Sequence, residues 1–253
     1  MPDIVVHNAM GARVLDRLDA EIVIDREIFR FAVMGPDPYL FYRFFAPRFR
    51  HGVNERSNLM HRTRTGRFLM ELARRSREPE MFSFLAGFLC HYALDSTAHP
   101  FIYAKAEYRS DLHTAIEHRL DMIELERQGK RDIMELFTDF PDLPEARAAM
   151  KTVYGWDDDC FETAYRHMKL YHRIVQDRHG ILNALYPKAV SYRTRLCDGM
   201  DLSPFDALEA EAVRLGVGLI TAAHRFRAGQ IGEEELQKAI GNRSYAGGEA
   251  DQP

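Results

Sequence analysis

An apolar run in the middle of the chain constrains the fold more than any other feature. Residues 81–94 (MFSFLAGFLCHYAL) contain no Asp, Glu, Lys or Arg. A helix that is apolar on nearly every side is a buried helix. These fourteen residues are too few to cross a bilayer, which needs about 20. We therefore expect Pro79 to open a helix in the core of the protein, and Pro100 to end it, because a proline disfavours helix at the residue before it.

Helical periodicity also dominates the rest of the chain, and the alternation typical of strands is nearly absent. The pattern predicts further helices at about 7–18, 21–33, 61–77, 111–128, 144–154, 159–176, 181–193, 204–227 and 233–240. There is no internal repeat and no linker of low complexity. The simplest interpretation is one all-α domain, a multi-helix bundle over residues 1–243, with a disordered tail at 244–253.

Composition and charge argue against several classes of function. The net charge is −4 at pH 7 and the sequence pI is about 6.3, so there is no overall bias toward nucleic acid. The three cysteines (Cys90, Cys160 and Cys197) have no CxxC spacing. The first residues lack the pattern of a secretory signal, and no run is long enough to span a membrane. We therefore expect a cytoplasmic, reduced protein.

Histidines and acids follow the apolar run at helical spacing. His91 and Asp95 are four residues apart, His99 follows four later, and His113 and Glu117 form a second pair four apart. Residues four apart share one face of a helix. Taken alone, the first pair is equally well explained by a buried hydrogen bond. The whole series favours a metal site, because imidazole and carboxylate groups suit zinc.

Three further residues are candidates to join this site. His7 lies at the start of the first helix, Asp37 lies in a turn between two prolines, and His61 opens a predicted helix. Each alone has an ordinary explanation as a surface or capping residue. His118 and Asp121 form a rival pair, three residues apart, on the same helix as the second pair. The ligand assignment within that helix is therefore left open.

Taken in order, these residues resemble a known family. The series consists of His7, the GPDP motif around Asp37, His61, and the run H-x3-D-x3-H-x13-H-x3-E from His91 to Glu117. It resembles the zinc-dependent phospholipase C family, which is related to the S1/P1-type zinc nucleases, over roughly the first 125 residues. The resemblance implies an all-helical fold of the phospholipase C/P1 nuclease type, bound zinc, and hydrolysis of a phosphodiester by a metal-activated water.

The resemblance also implies roles for individual residues. It assigns one zinc to His61, His91 and Asp95, a second to His99, His113 and Glu117, and a third to His7 with Asp95 as a shared bridge. Asp37 matches the family's acidic residue beside the metals, which orients or deprotonates a water. In secreted members the processed N-terminal residue completes the third zinc site. Here the chain begins Met-Pro-Asp, so either the N-terminal ligand is missing or Asp3 substitutes for it.

Two alternatives to a phospholipase C-like phosphoesterase stay open. One is an S1/P1-like nuclease, which the net charge and the lack of a clear base-stacking platform disfavour. The other is a non-catalytic helical protein that keeps the metal for stability. The expected partner is a phosphoester substrate such as a phospholipid head group. A cytoplasmic location would favour a soluble or specialised phosphoester over bulk phospholipid.

Overall fold

A computed structural model describes residues 4–46, 52–129, 132–157, 160–176, 184–185, 196–244 and 248–250. Within them the named elements are all helices, so the predicted all-α class is confirmed. The α-helices are α1 (Ile4–Leu15), α2 (Arg26–Ala32), α3 (Val53–Arg62), α4 (Thr65–Arg75), α5 (Pro79–Lys105), α6 (Ser110–Gln128), α7 (Pro144–Tyr154), α8 (Cys160–Val175), α9 (Pro204–Arg227) and α10 (Glu233–Ile240). Two short 3₁₀ helices, Asp37–Phe41 and Ile133–Leu136, complete the set. The helix predicted at 181–193 falls almost wholly outside the described residues.

The central helix α5 begins at Pro79, as predicted, but the prediction that it ends near Pro100 was wrong. A proline inside a helix removes one backbone hydrogen bond. Burial beyond the proline offsets this loss, since Ile102 is 4% exposed and packs in the core. The helix therefore continues for 27 residues to Lys105. One continuous element thus carries three of the candidate ligands, His91, Asp95 and His99.

The helix predicted to begin at His61 is divided in two. His61 lies in the last turn of α3, and the chain turns at Arg64 before α4 begins. Arg64 has a φ of 54° and donates from Nη1 to the carbonyl oxygen of Val153 at 2.8 Å. A left-handed residue that is not glycine leaves no trace in hydrophobic periodicity, so the break could not be seen in the sequence.

Helices α1, α2, α4 and α9 all pack against α5, which forms the axis of the core. The approach of α2 is especially close. A Cβ atom at Gly87 would lie 2.4 Å from the carbonyl oxygen of Phe29, so only glycine fits there. No helix in the described part of the chain is both long and apolar enough to cross a membrane.

The segment 244–253 is described only in part. The amide of Ser244 donates to the carbonyl of Gly248 at 3.0 Å, and the amide of Ala250 donates to that of Asn242 at 2.8 Å. Residues 248–250 therefore fold back on the chain that follows α10. The division into a domain at 1–243 and a disordered tail stays a prediction.

Candidate metal centre

The candidate residues from five helices lie together at one place beside α5. They are His7 on α1, Asp37 at the start of the first 3₁₀ helix, His61 on α3, His91, Asp95 and His99 on α5, and His113 and Glu117 on α6. Their ligand atoms form three groups, and within each group the atoms all lie within 4.8 Å of one another. We call them the first cluster (His61, His91, Asp95), the second cluster (His99, His113, Glu117) and the third cluster (His7, Asp37, His91).

Asp95 lies between these clusters and is 2% exposed. Its Oδ1 is 3.2 Å from Nε2 of His7. Its Oδ2 is 3.3 Å from Nε2 of His61, 3.4 Å from Nε2 of His91 and 3.3 Å from Nδ1 of His99. A single buried carboxylate thus contacts four histidines, and a charge placed on it acts on every cluster.

Backbone carbonyls fix the orientation of the two histidines in the first cluster. Nδ1 of His61 is 2.7 Å from the carbonyl oxygen of Ser57, and Nδ1 of His91 is 3.1 Å from that of Val33. A carbonyl only accepts, so Nδ1 carries the hydrogen and Nε2 is left with its lone pair. The two Nε2 atoms are 3.4 Å apart and both face Asp95. Three electron-pair donors converging in this way need a cation or a proton among them.

The buried carboxylates stabilise that proton on the imidazole of His61. Burial alone would lower the pKa of His61, but hydrogen bonds and attraction from Asp37 and Asp95 outweigh it and raise the pKa to about 9. Burial dominates at His91 and lowers its pKa to about 4. In the metal-free state at neutral pH, His61 is therefore the cation of the first cluster. A metal must displace this proton, because it binds the neutral imidazole.

The second cluster is built on Glu117, which is 3% exposed. Its Oε1 is 3.0 Å from Nε2 of His99 and 2.8 Å from Nε2 of His113. Burial would raise the pKa of Glu117, but the positive surroundings and the hydrogen bonds from His113 and His99 hold it well below its usual range. Burial likewise opposes charge on His99, yet Asp95 and Glu117 raise its pKa well above the usual value. The cluster is thus an ionised acid between two imidazoles.

The residues present fit zinc. Two buried side-chain nitrogens of the site, His7 Nδ1 and His113 Nδ1, have no hydrogen-bond partner. Each unsatisfied polar atom of this kind lowers the free energy of unfolding by about 1–3 kcal/mol in a protein core. A cavity of about 20 Å³ lies beside the clusters, lined by His7, Asp95, His99 and Glu117 and otherwise mostly by apolar side chains, and it has room for one ion or water. Nitrogen and carboxylate oxygen ligands in this arrangement suit Zn²⁺.

Gly35 is a residue of the site that sequence analysis missed. It has a φ of +53°, and a Cβ atom built on it would lie 2.3 Å from Cδ2 of His91. The glycine therefore lets the chain turn against the imidazole and places Asp37 two residues further on. In the sequence, the GPDP motif was the only feature that pointed to this contact.

Asp121 is half of the rival ligand pair, but in the structure it binds backbone amides. Its carboxylate accepts hydrogen bonds from the backbone amides of Val5 at 3.0 Å and Val6 at 2.9 Å. These are amides at the start of α1, which have no partner within the helix. Asp121 thus caps α1 from α6 and fixes the residue that follows, His7.

The comparison with known families agrees with this geometry. A family model described as "Zinc dependent phospholipase C" matches residues 6–173. No curated protein and no solved structure matches the chain. The matched span is more than half of the 253 residues and includes every member of the three clusters. The chain therefore belongs to the zinc-dependent phospholipase C family.

Proposed function

We propose that this chain is a zinc-dependent phosphoesterase of the phospholipase C type, which hydrolyses a phosphodiester with water. The convergence of His61, His91 and Asp95 carries the proposal. Their lone pairs meet at one buried point, and Asp37 lies beside it with Oδ1 3.3 Å from Nε2 of His61. Membership of a family of zinc phospholipases C supports a hydrolase that acts on phosphoric esters.

Zinc bound at these clusters would supply a lowered pKa for water and positive charge against the phosphodiester. The protein's own groups do the rest. Asp37 is 1% exposed, which limits its access to bulk water, and its carboxylate would take a proton from the attacking water or hold that water in line. Asp95 would hold negative charge between the clusters. The carbonyls of Ser57 and Val33 would keep two imidazoles in one tautomer.

Exposure indicates the side from which a substrate enters. The side chains of His61 and His113 are each 13% exposed, whereas those of His91 and Asp95 are 0% and 2% exposed. The first and second clusters therefore reach solvent through His61 and His113, whereas His91 and Asp95 are shielded from it. A phosphodiester that reaches both edges would lie across the two clusters.

The proposal is tested by elemental analysis and by hydrolysis of bis(p-nitrophenyl) phosphate. We expect zinc in the wild type, and loss of at least one zinc ion per chain together with activity in Asp95→Asn. Asp37→Asn should keep the zinc of the first and second clusters but lower kcat by about 10²–10⁴-fold, as expected for the loss of a general base. Asp206→Asn is the control, because Asp206 pairs with Arg127 at the surface of α9.

Two results would count against the proposal. One is a folded wild type without zinc, which would return His91 and Asp95 to a buried hydrogen bond. The other is zinc-loaded protein in which Asp37→Asn leaves kcat unchanged, which would favour a structural metal. Hydrolysis of single-stranded nucleic acid in place of phospholipid would redirect the assignment to an S1/P1-like nuclease.

A further inference from the structure

Helix α8 has a second apolar stripe in addition to the one it packs into the core. Its inner face buries Ala164, Tyr165 and Met168. The second stripe follows the spacing i, i+3, i+4, i+7 and consists of His167, Leu170, Tyr171 and Ile174. Leu170 is 42% exposed and Ile174 is 44% exposed. Leu170 and Ile174 are therefore turned toward solvent, whereas His167 and Tyr171 are half-buried.

The chain that follows the first 3₁₀ helix extends the stripe. The ring of Phe45 packs edge-on against His167 with centroids 5.1 Å apart, and Phe45 is itself 61% exposed. Arg43 has a φ of 50°, and its amide donates to Nδ1 of His167 at 2.9 Å. A left-handed bulky residue is strained, so this turn is held against α8 by specific contacts. Two separate segments thus present one apolar surface.

Positive charge borders this surface. Arg166, Lys169 and Arg173 lie on α8, and residues 163–176 contain no acid. Arg166 is four residues before Leu170, so the basic and apolar stripes are neighbours. Arg166 pairs with Glu162, but an exposed pair is worth little and leaves the cation available. Because the chain as a whole carries a charge of −4, this basic surface is a local reversal of sign.

We infer that this surface docks on an anionic lipid bilayer. We call it the α8 face and define it as Phe45, Leu170 and Ile174 with Arg43, Arg166, Lys169 and Arg173. Scattered exposed apolar residues are ordinary, whereas a contiguous apolar patch rimmed by polar residues marks an interaction site. Apolar side chains enter the boundary between head groups and acyl chains, and flanking cations attract anionic lipids. The inference goes beyond the proposed function, because docking requires neither metal nor hydrolysis.

Sedimentation with lipid vesicles tests the inference. The full chain is mixed with vesicles of phosphatidylcholine alone or of phosphatidylcholine with phosphatidylglycerol. We expect binding to the mixed vesicles, weaker binding to the neutral ones, and a decrease with added salt. Replacing both Leu170→Ser and Ile174→Ser should lower the partition coefficient by about tenfold or more. The pair Lys169→Glu and Arg173→Glu should remove the preference for anionic vesicles.

Matched substitutions elsewhere provide the controls. Val23→Ser changes an apolar residue that is 75% exposed between α1 and α2. Lys238→Glu reverses an exposed charge on α10. Both should bind vesicles like the wild type. All variants should unfold at close to the wild-type temperature, because none of the substituted side chains is buried.

Two results would overturn the inference. One is a wild type that does not sediment with anionic vesicles, and the other is α8-face variants that bind vesicles as well as the wild type. A dimer that Leu170→Ser with Ile174→Ser dissociates would assign the face to a second copy of the chain. Binding is measured separately from hydrolysis of bis(p-nitrophenyl) phosphate. Face-dependent binding without hydrolysis would therefore reject the proposed function alone.

Discussion

Gly35 packs against the imidazole of His91 so closely that a Cβ atom at position 35 would lie 2.3 Å from the ring carbon Cδ2. The backbone at Gly35 is also left-handed, with a φ of +53°. The turn that presents Asp37 and the helix that presents His91 are thus coupled by a contact that only glycine allows.

Gly35→Ala should therefore lower both stability and metal binding. The added methyl group meets the ring and a strained φ, so we expect a loss of at least about 2 kcal/mol in the free energy of unfolding. Urea denaturation measures the loss, and elemental analysis measures the zinc retained. Gly218→Ala on α9 is the control. An added Cβ there meets nothing within 4 Å, so that variant should gain about 0.5–1 kcal/mol. Equal behaviour of the two variants would reject the coupling.

Asp121→Ala should affect the metal centre through α1. It removes the cap on the amides of Val5 and Val6, which should cost about 1–2 kcal/mol of stability and release His7 from its place. Asp25→Ala is a matched loss, because Asp25 caps α2 through two backbone amides. Both variants should be less stable in urea, but Asp121→Ala alone should retain less zinc. Unchanged zinc content in Asp121→Ala would show that His7 holds no ion.

Glu117→Gln should empty the second cluster and leave the first one loaded. The amide carries no charge, so it cannot offset a cation held with His99 and His113. We expect zinc per chain to fall by about one ion, with the protein still folded by circular dichroism. Glu126→Gln, an exposed change on the same helix, should bind as much zinc as the wild type. A complete loss of zinc would mean that the clusters bind cooperatively.

Zinc affinity of the first cluster should rise with pH. In the metal-free protein the pKa of His61 is raised to about 9, so at pH 7 zinc must displace one proton from it. Affinity should increase about tenfold per pH unit until about pH 9. The pKa of His91 is lowered to about 4, so that residue adds no dependence in this range. Competition with a chelator in the Glu117→Gln background measures the slope, and a flat profile would contradict the protonation of His61.

The stability of the metal-free protein should change with pH in the opposite direction. His61 has a higher pKa folded than the ordinary value of 6.5. Its contribution to stability is therefore fully present below about pH 6.5 and is lost as the pH rises to about 9. Urea denaturation in the presence of a chelator should show a lower unfolding free energy at pH 9 than at pH 6.5. His61→Gln should remove only part of that difference, because the pKa of His99 is also raised and His99 loses its contribution in the same direction.

Helices were predictable where the sequence marks their ends. Pro144 and Pro204 open α7 and α9 at the predicted residues, because proline is favoured at the first helical position. The prediction was wrong at Pro100, where core burial outweighs the lost hydrogen bond, and at Arg64, where a side chain holds a turn that no pattern records.

The site was predictable to the extent that it is local. His91, Asp95 and His99 share one helix at four-residue spacing, so their proximity follows from geometry. His7 and His61 join them from distant segments, and only the resemblance to a family suggested their place. The cap on α1 joins residues 116 positions apart. Long-range contacts of this kind leave no periodic signal in a single sequence.

The continuity of α5 through Pro100 links the spacing of the clusters to the rise of one helix. Four residues advance a helix by about 6 Å and return to nearly the same face. A one-residue insertion between Asp95 and His99 would rotate the second cluster by about 100° away from the first. A deletion there would do the same in the opposite sense. A change in the length of this segment would therefore disrupt both clusters together, so the clusters form a single geometric unit.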